Sequence, residues 1–334
     1  MTMGIENKNI GVVGSGSFGT AMVKMLLENA ATVNWCVRDE TLKNHIKQEK
    51  RNPNYLSSVA FDVERLNLTT SIDQLVHQSD IIIFVVPSIY LLETLKPLTI
   101  SLENKIIITA IKGLIPQSCE IIGDYFMKEY GVAEENIGVI AGPCHAEEIA
   151  LERLSYITLA FKNGENLNRC RRHLKSDFVR VTPSDDIYGT EHSAVLKNVY
   201  AISAGIANGL NYGDNFIAVL LSNAIREMEE YLKIISPIDR NINNSVYLGD
   251  LLVTGYSYFS RNRMFGNMIG KGYTVKSALM EMNMVPEGYY ATEGIFKISE
   301  ENGLNLPILE TVHKILYQEK NPRKQFKKLT KKID

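Results

Sequence analysis

A glycine-rich segment near the start of the chain constrains its fold more than any other feature. Gly14, Gly16 and Gly19 have the spacing GxGxxG, directly after the apolar run Ile10–Val13 and directly before residues 20–29, whose apolar positions have helical spacing. In this context the first glycine permits a tight turn, the second lets the backbone approach a pyrophosphate, and the third lets the helix pack on the strand. The helix N-terminus adds N–H groups and a positive dipole end. The segment therefore predicts a dinucleotide-binding turn.

The first half of the chain alternates short apolar runs with helical segments. The runs that predict strands are Asn9–Val13, Thr32–Val37, Ile81–Val86, Lys105–Thr109, Ile137–Ala141, Ser155–Phe161 and Phe178–Val181. Continuous runs rich in β-branched residues are typical of a parallel sheet that is covered on both faces. Their alternation with helices favours an α/β fold with a doubly wound sheet of the Rossmann type.

The second half loses these strand patterns. Helical spacing predicts helices over residues 191–208, 215–234, 274–282, 291–302 and 307–318, and over a basic last segment with Phe326, Leu329 and Ile333 packed inward. Four glycines, Gly255, Gly266, Gly270 and Gly272, predict a loop-rich stretch between them. We expect a dinucleotide-binding Rossmann domain over residues 1–188 and an all-helical substrate-binding domain over residues 189–334.

Length and composition exclude several classes of protein. The 334 residues correspond to about two domains, and 45% apolar with 22% charged residues is typical of a globular chain. A net charge of −2 argues against a nucleic-acid-binding protein. The four cysteines form no CxxC pair, which favours a reducing compartment. The sequence contains no Cys/His cluster, so we expect no metal site. No apolar run approaches the roughly 20 residues of a membrane span, so we expect a cytoplasmic protein without membrane insertion.

Two charged residues follow the second predicted strand, at the position where a Rossmann fold distinguishes NAD from NADP. A carboxylate at this point holds the ribose 2′-hydroxyl of NAD, whereas an arginine accommodates the 2′-phosphate of NADP. Arg38 and Asp39 stand there side by side. The sequence therefore favours NADP and leaves NAD possible.

A series of short motifs along the chain supplies a more specific signal. In order, they are Val86-Pro87-Ser88, Lys112-Gly113, Gly142-Pro143, Leu196-Lys197-Asn198-Val199, Gly249-Asp250-Leu251, Ser260-Arg261-Asn262-Arg263 and Glu287-Gly288. With this order and spacing, the chain resembles the NAD(P)-dependent glycerol-3-phosphate dehydrogenases of the bacterial type, from about Ile10 to Pro322. The resemblance implies interconversion of dihydroxyacetone phosphate and sn-glycerol 3-phosphate, the supply of glycerophospholipid synthesis, and a homodimer.

The resemblance also assigns roles to individual residues. It implies that Lys197, Lys112 and Asp250 are catalytic: a buried lysine can donate a proton to the carbonyl oxygen, and the carboxylate orients it. The implied substrate-binding residues are Lys112, Gly142, Cys144, Lys197, Asp250, Ser260, Arg261 and Asn262. The implied cofactor-binding residues are Gly14, Ser15, Gly16, Phe18, Gly19, Arg38, Lys112, Ala146, Arg261, Val285 and Glu287.

The chain departs from the family after Gly142-Pro143. Family members usually have Ser or Thr followed by Phe there, whereas this chain has Cys144 and His145. A thiol is a weaker hydrogen-bond donor than a hydroxyl, so this position is expected to hold a substrate less strongly. Two other hypotheses fit the same architecture: a second type of two-domain hydroxyacid dehydrogenase, and a non-catalytic NAD(P)-sensing module.

Overall fold

A computed structural model describes residues 9–282 and 284–334 of the chain. Its residues group into two compact units. The first comprises the described residues 9–111, 122–140 and 144–187; the second comprises residues 112–121, 141–143, 188–282 and 284–334. Each unit has its own buried apolar core. Two short segments from the first half of the sequence thus belong to the second unit.

The first unit is built on one eight-stranded sheet. Its strands are β1 (Ile10–Val13), β2 (Val33–Cys36), β3 (Leu66–Thr69), β4 (Ile81–Phe84), β5 (Ile106–Thr109), β6 (Ile137–Ala141), β7 (Ser155–Phe161) and β8 (Val179–Ser184). The strand order is β3-β2-β1-β4-β5-β6-β7-β8, and the pairs from β3 through β6 and the pair β7–β8 are parallel. The order reverses direction beside β1, which is where a doubly wound sheet binds its ligand.

Helices connect these strands. They are α1 (Ser17–Leu27), α2 (Glu40–Glu49), α3 (Ile72–Gln78), α4 (Ser88–Leu95), α5 (Ile122–Tyr130), α6 (Ala146–Ala150) and α7 (Gly164–Leu174). The fully buried strands β1, β2, β4, β5 and β6 confirm the prediction of a sheet covered on both faces. The predicted Rossmann-type α/β fold is therefore confirmed for this half of the chain.

Both edges of the sheet differ from the prediction. The edge strand β3 was not expected, because Asn67 interrupts its short apolar pattern and faces solvent. The opposite edge strand β8 runs on to Ser184 through Pro183, beyond the predicted end at Val181. An edge strand tolerates proline because one side of its backbone needs no partner.

The second unit is largely helical, as predicted. Its helices are α8 (Ile187–Gly209), α9 (Asp214–Ile235), α10 (Asp250–Tyr256), α11 (Arg261–Gly270), α12 (Val275–Glu281), α13 (Glu287–Glu301), α14 (Pro307–Leu316) and α15 (Pro322–Leu329). In α15, Phe326 and Leu329 are fully buried and Ile333 packs on the same core, which confirms the inward face of the basic last segment. Among the described residues, no helix has both the length and the apolar character that a membrane crossing requires.

The prediction of a loop-rich stretch around Gly255 to Gly272 was wrong. The stretch contains α10 and α11, and its glycines allow helices to approach each other closely. A Cβ added to Gly266 would lie 2.1 Å from the carbonyl oxygen of Ile202 on α8, and one added to Gly270 would lie 2.4 Å from that of Ile206. Gly205 on α8 approaches α11 in the same way, since a Cβ added to it would lie 2.1 Å from the carbonyl oxygen of Arg263. The glycines therefore hold α11 against α8 backbone to backbone.

Candidate functional site

The glycine-rich turn of the first unit has the geometry that its spacing predicts. Gly14 adopts φ +121°, a conformation that favours glycine. A Cβ on Gly19 would lie 2.3 Å from the Gly14 carbonyl oxygen, so the third glycine lets α1 approach the turn. A Cβ on Gly16 would meet nothing within 4 Å. The second glycine therefore borders open space at the N-terminus of α1.

A buried amide locks this turn in place. The Asn52 side chain donates to the Ser15 carbonyl oxygen at 2.9 Å and to Thr20 Oγ1 at 2.8 Å. Trp35 Nε1 donates to the Gly14 carbonyl oxygen at 2.9 Å. Asn52 has no signal in the sequence, because 37 residues separate it from its partner and no local pattern marks it.

These residues fit a dinucleotide pyrophosphate. The N-cap of α1 is Gly16, no side chain caps this end, and the first turn carries no acidic residue. The positive end of the helix dipole therefore keeps its attraction for an anion. The backbone beside Gly16 has space for one. Phe18, in the first turn, is half-buried and packs against the core of this unit.

The structure separates the roles of the two charged residues after β2. Asp39 Oδ1 accepts from the Leu42 N–H at 2.8 Å and caps α2, and Asp39 Oδ2 accepts from Arg38 Nε at 2.9 Å. Those two bonds hold the pKa of Asp39 below its usual value. The Arg38 side chain is 70% exposed, and its backbone N–H lies 3.4 Å from Ser15 Oγ. The arginine is therefore available at the turn, whereas the aspartate is engaged in its own helix.

A buried ion pair forms the centre of the cluster in the second unit. Lys197 Nζ on α8 donates to Asp250 Oδ1 at the start of α10. The other oxygen of the same carboxylate accepts from the Gly142 N–H at 3.1 Å. Both side chains are almost completely buried. Three residues that lie far apart in the sequence are thus held around one carboxylate.

The backbone before Asp250 explains how this carboxylate reaches the ion pair. A π-helical turn over Ser245–Gly249 leads into α10, and such turns are frequent at functional sites. Asp250 does not cap α10, because the N-cap is Gly249 and the carboxylate bonds to Lys197 and Gly142 instead. Thr254, one turn later, lies 3.4 Å from Asp250 Oδ1 and donates to the Asp250 carbonyl oxygen at 2.6 Å.

Asn198 joins the remaining residues to the ion pair. Its side chain donates to the Lys112 carbonyl oxygen at 2.9 Å and fixes the segment that carries the second lysine. Its backbone carbonyl lies so near Gly288 that a Cβ there would approach to 2.6 Å. The Gly288 N–H donates to Asn262 Oδ1 at 2.9 Å. The motif around Lys197 assigns no role to Asn198, since only the fold shows that it bridges these segments.

The other expected site residues occupy defined positions. Ser260 caps α11 by accepting from the Arg263 N–H at 3.3 Å, and Arg261 is the first residue of that helix and is half-buried. Val285 and Glu287 are half-buried beside Gly288. Cys144 and Ala146 are buried in the first unit and belong to its apolar core.

The cluster offers two kinds of chemistry. An amine held in a buried ion pair can keep a proton at Nζ and pass it to a bound oxygen. The N-terminus of α11, with Ser260, Arg261 and Asn262 and without an acidic residue in its first turn, offers donors to an anion. Together these groups suit a small substrate that carries both a carbonyl and an anionic group.

The chain is similar to known protein families and structures. Residues 9–167 match the N-terminal model of NAD-dependent glycerol-3-phosphate dehydrogenase, and residues 186–327 match its C-terminal model. Similar proteins include a glycerol-3-phosphate dehydrogenase (NAD(P)+) of Exiguobacterium sp., 32% identical over 97% of this chain and 95% of the relative. Another is that of Chlorobium limicola, 30% identical over 93% and 94%.

A solved structure agrees with these relatives. The crystal structure of glycerol-3-phosphate dehydrogenase from Coxiella burnetii superposes with a TM-score of 0.89 at 27% identity, covering 97% of this chain and 98% of that one. Both sequence and fold therefore match over nearly the whole chain. The chain belongs to the NAD-dependent glycerol-3-phosphate dehydrogenase family.

Proposed function

We propose that this protein is an NAD(P)-dependent oxidoreductase that interconverts dihydroxyacetone phosphate and sn-glycerol 3-phosphate. The observation that carries the proposal is the buried Lys197–Asp250 pair, which stands in one cluster with Lys112, Gly142 and Asn262. The family resemblance supports the same substrate. The product would supply glycerophospholipid synthesis.

In this proposal the first unit binds the cofactor and the second unit binds the substrate, as expected for residues 1–188 and 189–334. The turn from Gly14 to Gly19 and Arg38 bind the dinucleotide. When bound, the nicotinamide supplies the hydride for the keto carbon. Lys112, Arg261, Val285, Glu287 and Ala146 are proposed as further cofactor contacts on the basis of the resemblance.

Lys197 is the proposed proton donor to the substrate oxygen. Asp250 holds the Lys197 ammonium in position, and Gly142 and Thr254 in turn hold the Asp250 carboxylate. Lys112 adds a second positive charge, which stabilises the negative charge that develops on the oxygen. Ser260, Arg261 and Asn262 bind the phosphate, and Cys144 is kept as a proposed substrate contact.

The cofactor preferred in this proposal is NADP. Asp39 caps α2 and pairs with Arg38, so it does not compete for a ribose hydroxyl. The exposed Arg38 guanidinium keeps donors for a 2′-phosphate. NAD is the alternative, since the ribose can also bind without a 2′-phosphate.

An initial-rate assay with three substrates tests the function. The purified protein is given NADPH or NADH with dihydroxyacetone phosphate, with unphosphorylated dihydroxyacetone or with a 2-keto acid. We expect oxidation of the cofactor with dihydroxyacetone phosphate and very little with the other two. Faster turnover of the keto acid would favour the second type of hydroxyacid dehydrogenase, and cofactor binding without turnover of any substrate would favour the sensing module.

We propose further that the protein works as a homodimer in the cytoplasm. The family resemblance supports the dimer, and the cysteine pattern of the sequence supports a reducing compartment. Light scattering on the eluted protein should give twice the mass of the chain. A monomer at micromolar concentration would contradict the dimer.

A further inference from the structure

Arg263 is a buried cation without a partner. It is the third residue of α11 and is only 9% exposed, and its Nε has no hydrogen-bond acceptor. Across residues 9–282 and 284–334, no carboxylate pairs with its guanidinium. Its one defined contact is Tyr258, whose ring centroid lies 5.1 Å from the guanidinium carbon.

A charge in this state is costly to the folded protein. Burying an ion removes its hydration, and proteins offset the loss with a counter-charge or with hydrogen bonds. Lys197, the buried cation of the neighbouring ion pair, has Asp250 as its counter-charge. Tyr258 is 85% exposed, and a contact with an exposed ring is worth only about 0.5–1 kcal/mol. The aromatic contact therefore does not replace the hydrogen bond that the buried Nε of Arg263 lacks.

The position of Arg263 indicates what is missing. Side chains on a helix lean towards its N-terminus, and the contact with Tyr258, two residues before the N-cap Ser260, places the guanidinium at that end. Arg261 is in the same turn, and this turn contains no acidic residue. Two guanidinium groups and a helix N-terminus therefore occur together in one turn that carries no acidic residue.

We propose that Arg263 donates to the phosphate group of the substrate from the protein interior, together with Arg261. This inference deepens the proposed function and rests on it for the identity of the substrate. A phosphate monoester carries up to two negative charges and three acceptor oxygens, which matches two guanidinium groups better than a single carboxylate does. Arg263 is thus a phosphate-binding residue to which the family resemblance assigns no role.

The test compares Arg263→Met with the matched control Arg240→Met. Arg240 is also in the second unit, but its guanidinium donates to the Leu232 carbonyl oxygen and to Ser236 Oγ. Thermal unfolding is measured with and without inorganic phosphate, and phosphate affinity is measured by calorimetric titration. Any binding of phosphate at the glycine-rich turn is common to all variants and cancels in the comparison.

We expect opposite results for the two variants. Arg263→Met removes a buried Nε that has no acceptor, so its melting temperature without phosphate stays the same or rises, while its phosphate affinity falls about tenfold or more. Its KM for dihydroxyacetone phosphate rises by a similar factor, with kcat much less affected. Arg240→Met melts earlier but keeps the stabilisation by phosphate.

Two results would overturn the proposal. One is an Arg263→Met protein that melts earlier without phosphate and still binds phosphate like the wild type, which would make Arg263 a structural residue. If that variant does not fold, Arg263→Lys carries the test, because lysine keeps the charge but loses the fork geometry. Wild-type phosphate affinity in Arg263→Lys would then be the second contradicting result.

The phosphate titration also separates this inference from the proposed function. It needs no turnover, so a wild-type protein that binds phosphate through Arg263 but does not reduce dihydroxyacetone phosphate would contradict only the proposed reaction. A wild-type protein that reduces dihydroxyacetone phosphate while Arg263→Met keeps its KM would contradict only the role of Arg263.

Discussion

At the scale of single residues, the second unit contains two buried cations, Lys197 and Arg263, with different partners. Lys197 and Asp250 neutralise each other, and the Gly142 N–H satisfies the second oxygen of the carboxylate. A pair that is this well bonded holds the amine in one place, which general acid catalysis requires. The same fold leaves Arg263 unpaired. The difference between the two cations distinguishes a proton donor from an anion-binding group.

Replacing Lys197 by methionine should abolish most of the turnover. We expect kcat to fall by about 10²–10⁴-fold, the usual range for the loss of a general acid, because the substitution removes the ammonium group that Asp250 Oδ1 holds in position. Steady-state kinetics and cofactor titration measure the two effects, and the affinity for the cofactor should not change. The control is Lys233→Met, an exposed lysine paired with Glu229. Wild-type kcat in the Lys197 variant would disprove the assignment.

Replacing Arg38 by alanine should change cofactor preference. If the guanidinium binds the 2′-phosphate, the KM for NADPH rises about tenfold, as for the loss of a charged hydrogen bond, whereas the KM for NADH changes little. The test measures the KM for NADPH and the KM for NADH of the wild type and of Arg38→Ala at saturating dihydroxyacetone phosphate. An equal change in both KM values would mean that Arg38 does not bind the 2′-phosphate.

At the scale of elements, the crossing of α8 and α11 positions the site. α8 carries Lys197 and Asn198, α11 carries Arg261 to Arg263, and glycines on both helices allow the close approach. The glycine-rich stretch was mistaken for loop because glycine usually interrupts helices, and only a three-dimensional packing partner reveals its other use. Edge strand β3 was missed for a similar reason: its pairing with β2 compensates for a weak local pattern.

Alanine at position 266 should separate these two helices. Its Cβ would lie 2.1 Å from the carbonyl oxygen of Ile202, so the backbones must move apart. Overpacking of this kind costs about 1–3 kcal/mol of unfolding free energy, and we expect kcat/KM to fall with it. Denaturant unfolding measures the loss. Gly164→Ala, where the added Cβ meets nothing within 4 Å, is the control and should be near neutral. Equal stability of the two variants would contradict the close crossing.

The junction of α9 and α14 should make stability depend on pH. Glu227 on α9 accepts from the N–H groups of Ile308 and Leu309 at the start of α14. Burial raises the pKa of Glu227 to about 8, although these two bonds act in the opposite direction. The unfolded chain releases this proton near pH 4.3. The contribution of Glu227 to stability is therefore complete below about pH 4, decreases as the pH rises, and is lost above about pH 8.

Glu227→Gln removes this titration and keeps an oxygen acceptor for α14. Between pH 6 and 8 the wild type should lose stability relative to the glutamine variant, by at most about 1.4 kcal/mol per pH unit. Urea unfolding at several pH values gives the slope. Asp214→Asn, at an exposed carboxylate in the first position of the same helix, should follow the wild type. Parallel slopes for wild type and Glu227→Gln would show that the buried carboxyl does not titrate in this range.

At the scale of the whole molecule, the sequence predicted the fold class of both halves of the chain. The Rossmann-type sheet, the helical second half and the glycine-rich turn follow from local periodicity and from one motif in its context. The partners of the site residues did not follow, because Asn52, Asn198 and Gly288 act across long stretches of chain through backbone atoms. The membership of residues 112–121 and 141–143 in the second unit also has no local signature.

The central claim is that this chain reduces the carbonyl of dihydroxyacetone phosphate with a hydride from a nicotinamide cofactor. The most direct test supplies NADPH that carries two deuterium atoms at C4 of the nicotinamide and analyses the product by mass spectrometry and NMR. We expect sn-glycerol 3-phosphate with one deuterium atom at C2, formed by the wild type and far more slowly by Lys197→Met. Product without deuterium at C2, or no glycerol 3-phosphate with either NADPH or NADH, would contradict it.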